Sequence, residues 1–569
     1  MSESSARYHG ALELTWTNKH LRLLAAEDGR YEWVAPSDYR VAEVRLLDDA
    51  ATVGETGPYN QRARDNLLIR GDALNGLASL SSLPEFAAEY VGKIRLAYLD
   101  PPFNTQQSFM HYDDNLEHSV WLTMMRDRLV QIKKLLAPNG SVWVHCDDSE
   151  QAHLRVLMDE AFTRPCFVGA VIWRSTDNSN NDAKQFSQDH NTILVYSREP
   201  DWRTNGLQRR SEQAKHYANP DDDPRGAWFD GNPVGSPNPR ANLQYEILSP
   251  TGYVIEPPGN GWRWSRETLD QKLATGEIRF SADGRRIIRR TYLADQRALP
   301  PSTLWSNIED TGSNRQAKYE LKRLFQRPTA DLFDTPKPER LMSRIIELAT
   351  APGDIVLDCF LGSGTTSAVA HKMGRRWVGI ERSADTIDSY ALPRLTKVVD
   401  GADPGGITDS VGWTGGGGFR VLDVAASMFA EEAGTVYLAD WAVNGKLAEA
   451  CAAQLRYAYE PVPPFAGRRG RSRLAVVDGL VNEGAVRVLI NNLGDDERLV
   501  VCGTAVDPAA RALVRELRPG SSVRKIPASI LEDYRRTRWT PRATTDAPPG
   551  NGTVPSMPDR SEVSTSPPR

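Results

Sequence analysis

The sequence predicts an α/β fold with a mostly parallel sheet, on three observations. From Asn66 onward, short apolar runs alternate with segments of helical spacing, and the same rhythm returns after residue 331. Glycine-bearing turns, GDAL at 71–74 and GSGTT at 362–366, stand where a strand hands over to the next element. A chain of 569 residues exceeds a single hydrophobic core, so several domains are expected.

In chain order, residues 1–65 mix apolar pieces with charge, and ELTWTNKHLRLL (13–24) reads as a small packed element. Residues 66–200 form the first part of the α/β core. LLIRGDAL is strand then turn, and KIRLAYLD (93–100) is a strand. VWLTMMRDRLVQIKKLLAPNG is a helix, with Leu122, Met125, Leu129, Ile132 and Leu136 at helical spacing and a stop at Pro138-Asn139-Gly140. SVWVHCDD, VGAVIWR and TILVYSR complete the strands of this part. Residues 331–415 form the second part: the proline-led amphipathic helix TPKPERLMSRIIELAT, then strand, glycine loop, helix and strand in DIVLDCFLGSGTTSAVAHKMGRRWVGIER.

Between them, residues 201–330 break the rhythm and are rich in Pro, Gly, Asn, Arg and Trp. From 263 to 297 nine Arg/Lys stand against five acids, a net +4, with Trp228, Trp262, Trp264 and Trp305 in or beside the segment. A basic, aromatic, irregular insertion suits a nucleic-acid surface; the bland alternative is a solvated face over core tryptophans. VGWTGGGG (411–418) reads as a hinge, residues 416–538 as a small C-terminal α/β domain, and the Pro/Ser/Thr-rich 539–569 as a disordered tail.

Composition narrows the class. A net charge of −5 gives no global sign of a nucleic-acid partner, so any such signal is local. No apolar run is long enough to span a membrane, and MSESSARYHG lacks the basic start and apolar stretch of a signal peptide, so a cytoplasmic protein is expected. The five cysteines never form a CxxC pair, which argues against a metal site or a disulfide framework.

Two constellations carry chemistry. In DCFLGSGTT (358–366), Gly362 and Gly364 let the backbone turn tightly and approach a ligand, and Glu381, ending the next strand, is placed to accept from ribose hydroxyls. The loop lacks a third glycine spaced for a pyrophosphate and has no GK[ST], so a nucleoside without phosphates fits better. In LDPPFN (99–104), two prolines cannot continue a central strand, and they hold Asp100 extended at the carboxyl edge of the sheet. A carboxylate plus a carbonyl freed by the prolines can accept both hydrogens of an exocyclic amino group, and Phe103 offers a face for stacking on its base.

DPPF followed by FLGSGTT, with the basic insertion between, resembles the β-class amino-group DNA methyltransferases. WTNKHLRLLAAEDGRYEWVAPSDYRVAEVRLL, HYDDN, WLTMMRDRL, DPRGAW, WRWSRE, FDTPKP and GGGGFR extend the resemblance to modification subunits of type III restriction-modification systems, over roughly residues 10–425. It implies a Rossmann-like methyltransferase fold with a mostly parallel seven-stranded sheet and an inserted target-recognition region at 201–330. It implies S-adenosylmethionine as cofactor and double-stranded DNA as substrate. Asp100, Pro101, Pro102 and Phe103 match the catalytic tetrad, with Phe where Tyr is commoner, so stacking survives and a hydroxyl contact does not. Phe360, Gly362, Ser363, Gly364 and Thr365, with Asp358, match the cofactor loop; Glu381 matches the ribose acid, Asp72 an acid near the cofactor adenine, and Lys337 a motif bordering the cofactor pocket. An aspartate tetrad favours N6 of adenine, while N4 of cytosine presents the same amino geometry. The resemblance also implies a homodimer and a separate helicase-nuclease restriction subunit; a recognition subunit serving such a partner without catalysis is the rival reading.

Overall fold

The computed structural model describes residues 12–25, 31–104, 117–179, 181–207, 215–231, 233–296 and 299–536; the tail at 539–569 and HYDDN at 111–115 lie outside them. Ten strands form one sheet. In chain order they are β1 (Leu47–Gly54), β2 (Asn66–Arg70), β3 (Ile94–Leu99), β4 (Leu136–Cys146), β5 (Phe167–Arg174), β6 (His190–Ser197), β7 (Leu304–Trp305), β8 (Ile355–Asp358), β9 (Arg376–Glu381) and β10 (Gly418–Val424). Their spatial order is β7-β5-β6-β4-β3-β8-β9-β2-β10-β1. All neighbours are parallel except at β6, which opposes β5 and β4, and at β1, which opposes β10. The seven contiguous strands from β5 to β2 contain one antiparallel member. The sheet runs past them, to β7 at one edge and β10 and β1 at the other, so it has ten strands where the resemblance implies seven.

The period of two along each strand sorts its side chains between two apolar layers. Leu67 and Ile69, Ile355 and Leu357, and Val378 and Ile380 enter one layer. Leu68, Val356 and Trp377 enter the other. Helices α1 (Ala73–Ser82), α2 (His118–Leu135) and α3 (Gln151–Phe162) cover the first face; α4 (Glu339–Ala349), α5 (Thr365–Lys372) and α6 (Leu392–Val399) cover the second. Burial on both faces is why these strands read as unbroken apolar runs rather than alternating ones. No helix among the described residues is long and apolar enough to cross a membrane.

Parallel registration decides where the site lies. Asp358 pairs with Tyr98 on one side and Gly379 on the other, and Glu381 pairs with Arg70. The carboxyl ends of β2, β3, β8 and β9 therefore reach one edge together, the edge at which open α/β sheets bind ligands.

Strand β10 pairs with β2 and β1 in this sheet, although the sequence reading starts the C-terminal unit at 416. The C-terminal sheet is five-stranded, begins at Ala458 and has its own apolar core. The glycine run before β10, expected as a hinge, is tied to the core at Gly416, which donates to the Val399 carbonyl and whose own carbonyl lies 2.9 Å from His371 Nε2. The insertion also has a private core, around Ile247, Trp262, Leu269 and Ile287.

Candidate active site

A cleft of about 950 Å³ opens at the carboxyl edge, between the glycine turn after β8 and the diproline turn after β3. The glycine turn is shaped by sterics. Gly362 and Gly364 have φ of 52° and 81°, and a Cβ on Gly362 would sit 3.0 Å from the Phe333 ring. Gly364 then starts α5. Glu381 fastens this turn from the neighbouring strand: its Oε2 accepts from Gly362 N at 2.8 Å and its Oε1 from Ser383 N at 2.9 Å. Each oxygen keeps a further lone pair for a ligand hydroxyl. Burial raises the Glu381 pKa, against the pull of these amides.

Asp358, buried at the end of β8, accepts from Phe360 N at 2.9 Å. Burial pushes its pKa up to about 7, reinforced by the charges of Asp100 and Glu381. Unfolded Asp358 titrates near 3.8, so keeping it ionised costs stability progressively as pH rises from there to about 7. Asp358→Asn is expected to raise the thermal midpoint by roughly a few degrees at pH 8, with the gain vanishing below pH ~4. Melts at the two pH values check this; no gain at pH 8 would refute it.

At the diproline turn, the Trp121 indole donates to the Pro102 carbonyl at 2.7 Å. Lys337 Nζ lies 2.5 Å from Asp100 Oδ2 and 5.2 Å from the centre of the Phe103 ring. Asp100 Oδ1 is buried with no partner among the described residues. A buried acceptor left open in this way costs free energy unless a ligand fills it. Burial raises the Asp100 pKa and Lys337 opposes it. Phe103 stacks on His145 at 5.5 Å between ring centres and 25° between planes, and Tyr98 Oη contacts His145 Nδ1 at 2.9 Å. Burial holds His145 well below the usual histidine pKa, so the platform under Phe103 is a neutral imidazole.

Asp72 caps α1 through Leu74 N at 2.8 Å, and its other oxygen pairs with Arg128 at 2.8 Å. Arg128 is itself 5.6 Å from the Phe360 ring centre. Thus Asp100, Pro101, Pro102, Phe103, Asp72, Lys337, Asp358, Phe360, Gly362, Ser363, Thr365 and Glu381 all line one cleft, while Gly364 stands behind its wall. Lys337 sits at Asp100 itself, so its position is central rather than bordering. Arg128, His145 and Trp121 are participants that sequence reasoning missed. Arg128 left one trace, in the charged run Arg126-Asp127-Arg128 within a helix of core-facing residues; His145 and Trp121 read as ordinary strand and helix residues.

Five carboxylates face the cleft (Asp72, Asp100, Asp147, Asp358, Glu381) against Arg128, Lys337 and Arg382. That excess fits a ligand with a cationic centre. One trio outside the cleft, His118, Glu150 and His153, could in principle hold a metal. Their ring nitrogens lie 2.7 and 3.1 Å from the carboxylate, in direct hydrogen-bond contact, whereas a cation about 2 Å from each donor would hold donors about 3 Å or more apart.

The basic insertion carries less free charge than its composition implies. Arg290 is buried against Asp221 and Asp223, Arg279 pairs with Asp221, and Lys272 and Arg289 share Glu277. Arg263, Arg285 and Arg286 remain exposed.

At this sheet edge a glycine turn faces an acid-proline turn and an aromatic ring across one cleft. A family model described as DNA methylase (N6_N4_Mtase) matches residues 94–391, more than half of the chain. The chain belongs to this DNA methylase family. It is 31% identical to the probable type III restriction-modification enzyme HindVI Mod subunit of Haemophilus influenzae, over 66% of this chain and 56% of that protein. It is 30% identical to the type III restriction-modification enzyme StyLTI Mod subunit of Salmonella typhimurium, over 58% of this chain and 57% of that protein. The chain thus spans little more than half the length of these relatives. Among solved structures, a DNA modification methylase of Thermus thermophilus in complex with S-adenosyl-L-methionine aligns over 63% of this chain and all of that one, at 15% identity and a TM-score of 0.31.

Proposed function

We propose that this chain methylates the exocyclic N6 of adenine in double-stranded DNA, with S-adenosylmethionine as methyl donor, as the modification subunit of a type III-like restriction-modification system. The observation that carries this is the open, buried Oδ1 of Asp100 beside the Phe103 ring. Bound in the cleft, S-adenosylmethionine would supply an electrophilic methyl group on a cationic sulfur. Glu381 would hold its ribose hydroxyls, Asp72 would stand by its adenine, and the turn 360–365 would hold its remainder.

The residues of the chain then supply alignment. An amino nitrogen conjugated to a purine ring is a poor nucleophile. Asp100 Oδ1 and the Pro101 carbonyl accept hydrogen bonds from its two N–H groups, draw it towards tetrahedral geometry and aim its lone pair across the cleft. On taking the methyl group the nitrogen becomes cationic and releases one of these protons to solvent. Position and a fixed electrostatic field are the two contributions such a site makes. The base cannot be reached within a duplex, so it leaves the stack and lies on Phe103, at an unstacking cost of a few kcal/mol. Phe103→Ala is expected to weaken target-base binding by ~1–3 kcal/mol, and Phe103→Tyr to remain active. Fluorescence of 2-aminopurine at the target position checks the first and labelled-methyl transfer the second; an inactive Phe103→Tyr would mean a differently shaped base pocket.

The resemblance to type III modification subunits supports a homodimer, a separate helicase-nuclease partner and work in the cytoplasm on chromosomal DNA. The exposed Arg263, Arg285 and Arg286 are the insertion's candidates for phosphate contact. Labelled-methyl transfer to unmodified duplex, followed by nucleoside mass spectrometry, tests the proposal. N6-methyl-2′-deoxyadenosine is the expected product; N4-methyl-2′-deoxycytidine would correct the base, and no transfer would favour the pure recognition subunit.

A further inference from the structure

The Glu150 carboxylate takes no part in the proposed chemistry, and its burial is costly. It is 0% exposed at the start of α3, and among the described residues it has no lysine or arginine ion pair. A buried carboxylate held only by neutral donors or imidazoles is expensive, so its retention calls for a role. Its partners identify that role. Oε1 accepts from Asn104 Nδ2 at 2.7 Å and lies 2.7 Å from His118 Nδ1; Oε2 lies 3.1 Å from His153 Nδ1.

Asn104 directly follows Phe103, is 7% exposed and has φ of 62°, a left-handed conformation that a non-glycine residue adopts at a cost. His118 is the first residue of α2, on the far side of residues 105–117. One carboxylate therefore holds the chain where it leaves the diproline turn and again where it enters α2. One turn further along α2, Trp121 holds the Pro102 carbonyl. Phe103 is thus fixed through its neighbours on both sides, Pro102 from Trp121 and Asn104 from Glu150.

We infer that Glu150 is a positioning residue: through Asn104 it sets the left-handed exit of the diproline turn and so the placement of Phe103 and Asp100 in the cleft. Its rate readout rests on the methyl-transfer reading above; its exchange readout does not. Displacing reacting groups by about 1 Å costs about 10²-fold in rate, so Glu150→Ala should lower single-turnover transfer by that order. S-adenosylmethionine affinity, measured by calorimetry, should hold within about twofold, because the cofactor turn keeps its own ties. Asn104→Gly keeps the left-handed backbone without strain and removes only the amide; it should match Glu150→Ala, and the double variant should lose little more than either alone. Glu150→Gln, which still offers Asn104 an acceptor, should restore most of the rate.

Hydrogen exchange on the full-length chain reads the same clamp without a transfer assay. Glu150→Ala should speed exchange in the segment 96–104 and leave 355–366 unchanged. Wild-type rates in Glu150→Ala and Asn104→Gly would overturn the inference, as would multiplicative losses in the double variant or unchanged exchange at 96–104. Stoichiometric zinc binding abolished by His118→Ala, with transfer dependent on it, would also overturn it and make the trio a metal site. A wild-type chain that exchanges as described but transfers no methyl group would fail the functional reading alone.

Discussion

Asp100→Ala is expected to bind S-adenosylmethionine normally and to transfer methyl groups about 10³-fold more slowly, since it removes an acceptor aimed at the reacting centre. Affinity should survive because the cofactor turn is held by Glu381 and Asp358, whose bonds to Gly362 N, Ser383 N and Phe360 N do not involve Asp100. The rate should fall because Oδ1 is the open acceptor at the diproline turn and nothing on Ala replaces it. Removing the carboxylate also leaves Lys337, 7% exposed, without its ion pair, so some loss of stability accompanies the change. Asp100→Asn separates the two effects. It still offers Lys337 and the target amino group a neutral oxygen, and its rate should fall between wild type and Asp100→Ala. Single-turnover transfer with calorimetric cofactor titration is the measurement. Transfer by Asp100→Ala within about tenfold of wild type would remove Asp100 from the chemistry.

What was legible in the sequence is what local residue types impose. Prolines 101 and 102 end β3 by their own geometry, and Gly362 and Gly364 announce positive φ, so both turns could be located before any fold was known. The strands β2, β3, β8 and β9 were legible as apolar runs because both faces are covered. Pairing over distance was not. Lys337 meets Asp100 across 237 positions, and Arg128 meets Asp72 across 56. The charges of 263–297 looked free because Asp221 and Asp223, which hold Arg290, precede the stretch where acids and bases were counted. Strand β10 looked like the start of a second domain because its partners, β2 and β1, lie more than three hundred residues earlier. Glu150 gave no signal at all: a carboxylate at a helix start reads as a surface cap until its neighbours show it to be buried.

Lys337→Met should shift the pH profile of transfer towards alkali. Asp100 must be ionised to accept both from the target amino group and from its ion-pair partner. Its pKa reflects two opposed effects, burial raising it and the Lys337 ammonium at 2.5 Å lowering it. Without the ammonium, burial acts alone and the pKa rises further. The acid limb of the profile, where activity is lost as pH falls through this pKa, should therefore move to higher pH. The loss is therefore largest at acid pH and shrinks as the pH is raised. Asp358, with its own pKa of about 7, feels the Asp100 charge, so its titration moves down as Asp100 stays protonated to higher pH in the variant. Stability gives an independent sign: a folded-state pKa raised above that of the unfolded chain means stability is lost as pH rises between the two values. Lys337→Met should thus melt further below wild type at pH 8 than at pH 5. Lys337→Arg keeps the charge but exchanges a compact ammonium for a planar fork, so it should preserve the pH profile while lowering the plateau rate. An acid limb unmoved in Lys337→Met would mean that Asp100 does not govern it, and that the ion pair holds the turn without tuning its chemistry.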